Sequence, residues 1–170
     1  MSKVNPHRVT HAYEGEELVV FLIGMRINTP WRVRQWWPVF SAMPPMLREL
    51  SADPDSGLLG YRMTVGAGGP TIIQYWNSAQ KLYAYASDPH AEHRPAWRTF
   101  NRLARKAPAT VGIWHETFVI ARAESIYVGM PPTGLAKATS TVPVTARSDR
   151  AADRLSAPDR RTDTAPEPPG

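Results

Sequence analysis

Residues 110–120 read TVGIWHETFVI, and this run decides how the chain is laid out. Read as a strand, its side chains alternate strictly in direction, placing Val111, Ile113, His115, Thr117 and Val119 on one side and Trp114, Glu116, Phe118 and Ile120 on the other. β-branched and aromatic residues dominate, so the run is a strand. His115 and Glu116 then point to opposite faces of one sheet.

Moving toward the N-terminus, Gly57–Gly66 (GLLGYRMTVG) and Thr71–Trp76 (TIIQYW) read as two further strands. The residues between them, Ala67–Pro70, include two glycines and a proline, which is hairpin chemistry. Glu17–Asn28 (ELVVFLIGMRIN) reads as a buried first strand, with Gly24 marking a bulge or the close approach of another group. Thr29 and Pro30 carry the signal of a helix start. After them Val33, Trp36, Trp37, Phe40, Met43, Met46, Leu47 and Leu50 recur at helical spacing. Pro38, Pro44 and Pro45 predict a kink or break near Met43, because an interior proline loses a hydrogen bond and clashes with the preceding turn. Asn77 and Ser78 cap a short helix over Ala79–Ala86, and Pro95–Arg105 forms the main second helix.

The resulting order β, α, β, β, α, β is that of an α+β ferredoxin-like unit. Two helices cover one sheet face and leave the other open and apolar, with Ile73, Tyr75, Ile113 and Thr117 as candidates for it. An exposed apolar face of that size marks an interface. Two such faces closing on each other give a homodimer in the form of a dimeric α+β barrel.

Outside this unit, residues 1–16 read as a polar N-terminal arm without period, and 17–132 as the folded domain. Ser125–Met130 suggests an edge strand stopped by Pro131 and Pro132. From residue 133 to 170 the chain turns to Ala, Thr, Ser, Pro, Arg and Asp, too little apolar surface to offset ordering entropy, so a disordered tail is expected.

A chain of 170 residues with 42% hydrophobic residues can bury one core, and the absence of cysteine excludes disulfides and thiolate chemistry. The formal charge of +5 and pI near 9.8 admit an anionic partner. The basic residues are scattered, so neither nucleic acid nor an anionic membrane surface is expected. No apolar run is long enough to span a bilayer, and the first residues lack the apolar core of a signal peptide. A cytoplasmic protein without a membrane partner is the expectation.

The chain's other concentration of chemistry is Pro89–Phe100, PHAEHRPAWRTF. His90, His93, Arg94 and Trp97 would share one face of a helix. Pro95 more simply begins a fresh helix, leaving His93 and Arg94 at its mouth. HxxH spacing alone is a weak metal signal, and no metal site is expected. Phosphate-loop, dinucleotide and nucleophile-elbow patterns are absent.

Together, FLIGMRINTPWRVRQWWPVFSAMPPMLREL, TIIQYW, DPHAEHRPAWRTFN, GIWHETFVI and IYVGMPPTGL resemble a bacterial and fungal family of uncharacterised domains grouped with a monooxygenase of fumagillin biosynthesis. The likeness runs over about Glu17–Ala138 and implies the dimeric α+β barrel superfamily. That superfamily includes cofactor-free antibiotic-biosynthesis monooxygenases, haem-degrading enzymes, haem-dependent dehydratases and simple ligand binders. The resemblance implies a monooxygenase-like enzyme acting on a small aromatic or polyketide-like molecule in an apolar pocket.

A cofactor-free oxygenase needs a base, a group to stabilise the substrate anion and apolar walls. His93 or His115 suits the base, Arg94 or Trp97 the anion, and Trp97, Tyr75, Trp36 and Trp114 the substrate-binding walls. The plain alternative makes His115 a satisfied strand residue and His93 part of a helix start. A haem-binding protein is the alternative cofactor reading, with His93 or His90 as iron ligand and arginines on the propionates. A non-catalytic small-ligand-binding dimer is the third.

Overall fold

The computed structural model describes residues 3–66, 68–89, 98, 101–102, 105 and 109–156. The chain divides into two compact units, residues 16–120 and residues 1–15 with 121–170. Among the described residues the strands are β1 (Val9–Ala12), β2 (Val19–Ile27), β3 (Leu58–Gly66), β4 (Gly69–Trp76), β5 (Val111–Val119) and β6 (Ser140–Pro143). The helices are α1 (Val33–Ser41), α2 (Met43–Ala52), α3 (Ala79–Ser87), α4 (Leu135–Ala138) and α5 (Ala151–Ser156). Arg98, Asn101, Arg102 and Arg105 are also helical, within the span read as the second helix. The rest of that span lies outside the described residues.

In the unit of residues 16–120, four antiparallel strands run in the order β3-β4-β2-β5. With the helices between them this is the ferredoxin-like α+β arrangement. The sheet is open at β3 and β5 and does not close into a barrel. Register fixes the faces. Val19 opposes Trp76 and Val119, Phe21 opposes Gln74 and Thr117, and Ile23 opposes Ile72 and His115. These side chains share the face beneath the helices, where Val19, Trp76, Leu50 of α2 and Leu82 of α3 form the core. The Trp76 indole donates to Gln74 Oε1 at 2.9 Å, so the core's largest side chain leaves no polar atom unmet. The Glu17 carboxylate accepts from the backbone N–H of Ala79 at 2.6 Å, tying the start of β2 to the positive end of α3.

The opposite face carries Val20, Leu22, Ile73, Tyr75, Trp114 and Phe118. Ile73 and Tyr75 lie there as expected. Ile113 and Thr117 do not, because their register partners Met25 and Phe21 belong to the helix-covered side. Alternation says which residues share a face, but not which face the helices take. Gly24 marks a close approach: a Cβ there would sit 2.5 Å from the Trp114 ring, which crosses it on the neighbouring strand.

The long first helix is broken as its prolines require. α1 stops at Ser41 and α2 starts at Met43, with Pro44 and Pro45 in the first turn of α2, where a missing N–H costs little. The start differs from the Thr29–Pro30 expectation. The Thr29 carbonyl accepts from Arg32 N–H at 3.1 Å in a separate turn, and α1 begins at Val33 without a side-chain cap.

In the other unit, β1 pairs antiparallel with β6, Val9 opposite Pro143 and Ala12 opposite Ser140. The expected edge strand at Ser125–Met130 is reduced to single bridges, Val9 with Tyr127 and Asn5 with Met130. Residues 137–156, expected to be disordered, instead carry the end of α4, β6, a 3-10 turn at Ala146–Ser148 and α5. Polar anchoring supplies what apolar burial does not. The Arg154 guanidinium, largely buried, pairs with Glu124 and donates to the carbonyls of Ser148 and Asp149 at 2.9 and 2.7 Å. Residues 157–170 of the expected tail lie outside the described residues.

His11 of β1 is stitched to Ser125, whose Oγ meets both its backbone N–H (3.1 Å) and its Nδ1 (2.8 Å). Burial lowers the His11 pKa from its ordinary 6.5, with the Glu124 carboxylate opposing.

Gly24→Ala is expected to destabilise by about 1–3 kcal/mol through the clash with the indole. The penalty should shrink in a Trp114→Ala background, as read from denaturant midpoints in a double-mutant cycle. For His11 the folded state favours the neutral ring. Its contribution is therefore full above the unfolded value and is lost as pH falls through the depressed folded one. Amide protection in β1 and β6, corrected for the intrinsic exchange rate at each pH, should be lower at about pH 5 than at about pH 7.5, and His11→Asn should flatten that difference.

Candidate functional site

Between the helix-covered sheet face and the α1–α2 break lies a cavity of about 180 Å³. The sheet contributes Ile23 and Met25 from β2, Met63 from β3, Pro70 and Ile72 from β4, and Ile113 from β5, with the Gly24 backbone. The helices contribute Val39 and Phe40 from α1 and Met43, Pro44 and Met46 from α2. Among the described residues every lining side chain is apolar. The hollow follows from the local sequence. Alternation on four strands makes one apolar floor, and the break at Ala42 turns the helical roof so that none of the residues of α1 is fully buried.

Four of the chain's six methionines line this space. Their flexible, polarisable thioethers adapt to a guest's shape. Enclosed apolar cavities of comparable size take up small aromatic molecules; this one is partly open, with Met63 47% exposed at its edge.

His115 follows Ile113 by two residues on the same face of β5, about 7 Å further along the strand. Its ring lies against Phe21, with centroids 5.7 Å apart, and it is solvent-accessible. It does not itself line the cavity. It stands opposite Ile23 of β2, which does.

The other sequence candidates fall in different places. Trp36 stands behind the cavity wall, edge-on to Phe40 at 6.5 Å, with its indole N–H donated to the Pro30 carbonyl at 2.9 Å. Tyr75 and Trp114 lie on the opposite face of the sheet and do not wall this cavity. His93, Arg94 and Trp97, with His90, lie outside the described residues. The methionine quartet was missed, although Met43 and Met46 share a helix face at i, i+3 and Met25 and Met63 sit in strands. Met is so often plain core that its spacing alone carries little signal.

Among the described residues no cluster of three or more His, Asp or Glu side chains could hold a metal ion. A haem would need an axial ligand and cations for its propionates. Among the described residues the cavity lining offers neither, so those residues do not fit that group. Among the described residues, no helix is long and apolar enough to cross a membrane.

Fold and cavity together define a ferredoxin-like α+β protein with an apolar hollow beneath its helices. Residues 18–135 match the family described as monooxygenase af470-like, and the chain belongs to that family. No curated protein matches the sequence. Among solved structures, the aldoxime dehydratase OxdRE in complex with butyraldoxime is similar at a TM-score of 0.60 and 18% identity, over 79% of this chain. This chain spans only 42% of that enzyme's length, and the likeness is one of fold. A dimeric ferredoxin-like protein of unknown function from Jannaschia sp. CCS1 is similar at 0.42 and 15% identity, covering 58% of this chain and 97% of that one. SnoaB, a cofactor-independent oxygenase from Streptomyces nogalater, follows at 0.40 and 13%, covering 63% and 96%.

Benzene or xenon is expected to bind the hollow and raise the thermal midpoint of the protein. Val39→Phe, which fills the space from α1, should abolish that shift while leaving the far-UV spectrum folded. An unchanged shift in the filled variant would place the binding elsewhere.

Proposed function

We propose that the protein is a cofactor-independent monooxygenase whose substrate is a small aromatic or polyketide-like molecule held in the methionine-lined cavity. The observation that carries this reading is the wholly apolar cavity with an imidazole, His115, at its flank on the same sheet face. Family membership supports the reaction class.

The chemistry suits a substrate with an activated methylene between carbonyl or phenol groups. A base removes one proton, and the carbanion is oxidised by dioxygen to a carbon-bound hydroperoxide. Loss of water then leaves a carbonyl. The balance is CH2 + O2 → C=O + H2O, with dioxygen the sole oxidant. The apolar walls favour both the neutral substrate and oxygen, and exclude water that would compete for the anion. His115 serves as base because an imidazole needs little tuning to work near neutral pH. His93 is the alternative base, with Arg94 to stabilise the anion and Trp97 to hold the aromatic plane. Trp36 acts indirectly, by fixing Phe40.

The face opposite the helices is proposed as the homodimer interface that would complete an α+β barrel. Trp114 is 39% and Phe118 47% exposed there, beside Leu22 and Ile73. Trp114 then belongs to the interface rather than to the substrate, while Tyr75 is buried within the protomer.

The test is oxygen uptake with an anthrone-type substrate. His115→Ala is expected to lower kcat by about 10²–10³-fold with substrate binding retained. Loss in His93→Ala alone would transfer the role of base. Full turnover in both variants would overturn the histidine mechanism. A Soret band on haem supplementation, with turnover dependent on it, would favour the haem reading instead. Phe118→Glu should yield monomers in sedimentation if the interface is placed correctly.

A further inference from the structure

We propose that the outer shoulder of α1 docks on an anionic lipid surface. α1 has a strongly amphipathic pattern, with Val33, Trp36, Trp37 and Phe40 along one stripe, yet none of these is buried. The stripe is split between two environments. Trp36 and Phe40 turn toward the cavity and are half-buried. Trp31, Val33 and Trp37 turn outward and are 79%, 49% and 53% exposed. Trp37 rests one side of its ring on Trp36 and Phe40, at 6.0 and 5.5 Å between centroids, yet about half of it stays open, and with Trp31 it forms an apolar patch on adjoining turns.

The surroundings say what covers it. Residues 18–48 contain four arginines and no aspartate or glutamate. Arg32 and Arg34, both exposed, alternate in sequence with Trp31 and Val33, and Arg48 is exposed on α2. Indole rings with arginines beside them match the boundary between headgroups and acyl chains, where the ring is half-solvated and the guanidinium meets phosphate. The same charges disfavour a second copy as occupant, since two shoulders brought face to face would set like charges together. A helix of nine residues cannot span a bilayer. It lies in the interface plane, a mode that the expectation of no membrane partner set aside because the basic residues are scattered along the chain; around α1 they gather beside the outward tryptophans. Val39 and Phe40 on the inner side of this helix line the cavity, so an apolar guest dissolved in the lipid would meet the protein at the cavity's roof.

The experiment is sedimentation of the full chain with vesicles of phosphatidylglycerol and phosphatidylcholine in equal parts, against phosphatidylcholine alone. The chain is expected to bind the mixed vesicles at low ionic strength, and to dissociate as salt screens the arginines. Trp31→Ala and Trp37→Ala are each expected to weaken binding about tenfold. Arg32→Gln with Arg34→Gln should remove the preference for phosphatidylglycerol, and all variants should keep the wild-type far-UV spectrum. Absence of binding to the mixed vesicles at low salt overturns the proposal, as does equal binding by the tryptophan variants. A fall in oligomeric state in Trp37→Ala would assign the shoulder to a second copy and overturn it as well.

Discussion

The constraint on which the unit of residues 16–120 depends is the phase of β2 between its two neighbours. Once Val19 stands opposite Trp76 and Val119, every odd position of β2 faces the helices and every even one faces away. The same phase sets Ile23, Met25, Ile72 and Ile113 as the floor of the cavity and His115 as its flank. A slip of one residue would send all of them to the opposite face and bring Tyr75 and Trp114 beneath the helices. The Trp114 ring crossing Gly24 guards against that slip, since only a glycine leaves room for it.

The helical roof obeys a second constraint. Pro38 is tolerated inside α1, but the adjacent Pro44 and Pro45 sit in the first turn of α2, so the apolar period from Val33 to Leu50 is not one rod. α2 is pinned through Leu47 and Leu50, both buried, whereas α1 buries no residue fully. The roof is thus firmly packed at one end and loosely at the other. The hollow lies under the loose end, where a guest would meet the least resistance to entry.

Much of this was legible in the residues. Alternation in residues 110–120 gave a strand with His115 and Glu116 on opposite sides, and proline positions gave the helix break. The choice of covered face was not legible, because Ile113 and Thr117 look as suited to an interface as to a core. The cavity was not legible either, since Val39, Phe40 and the methionines are ordinary packing residues until the helix break leaves a gap between them. The order in residues 137–156 escaped for a different reason. Composition measures apolar burial, whereas this segment is held by strand pairing to residues 9–12 and by the buried Arg154–Glu124 pair.

A crystal structure with an anthrone-type ligand soaked into the protein tests the central claim most directly. The account predicts density among Met25, Met43, Met63 and Ile113, with the ligand's activated methylene turned toward His115. Ligand density on the opposite face of the sheet, beside Tyr75 and Trp114, with the methionine-lined hollow empty, would contradict it.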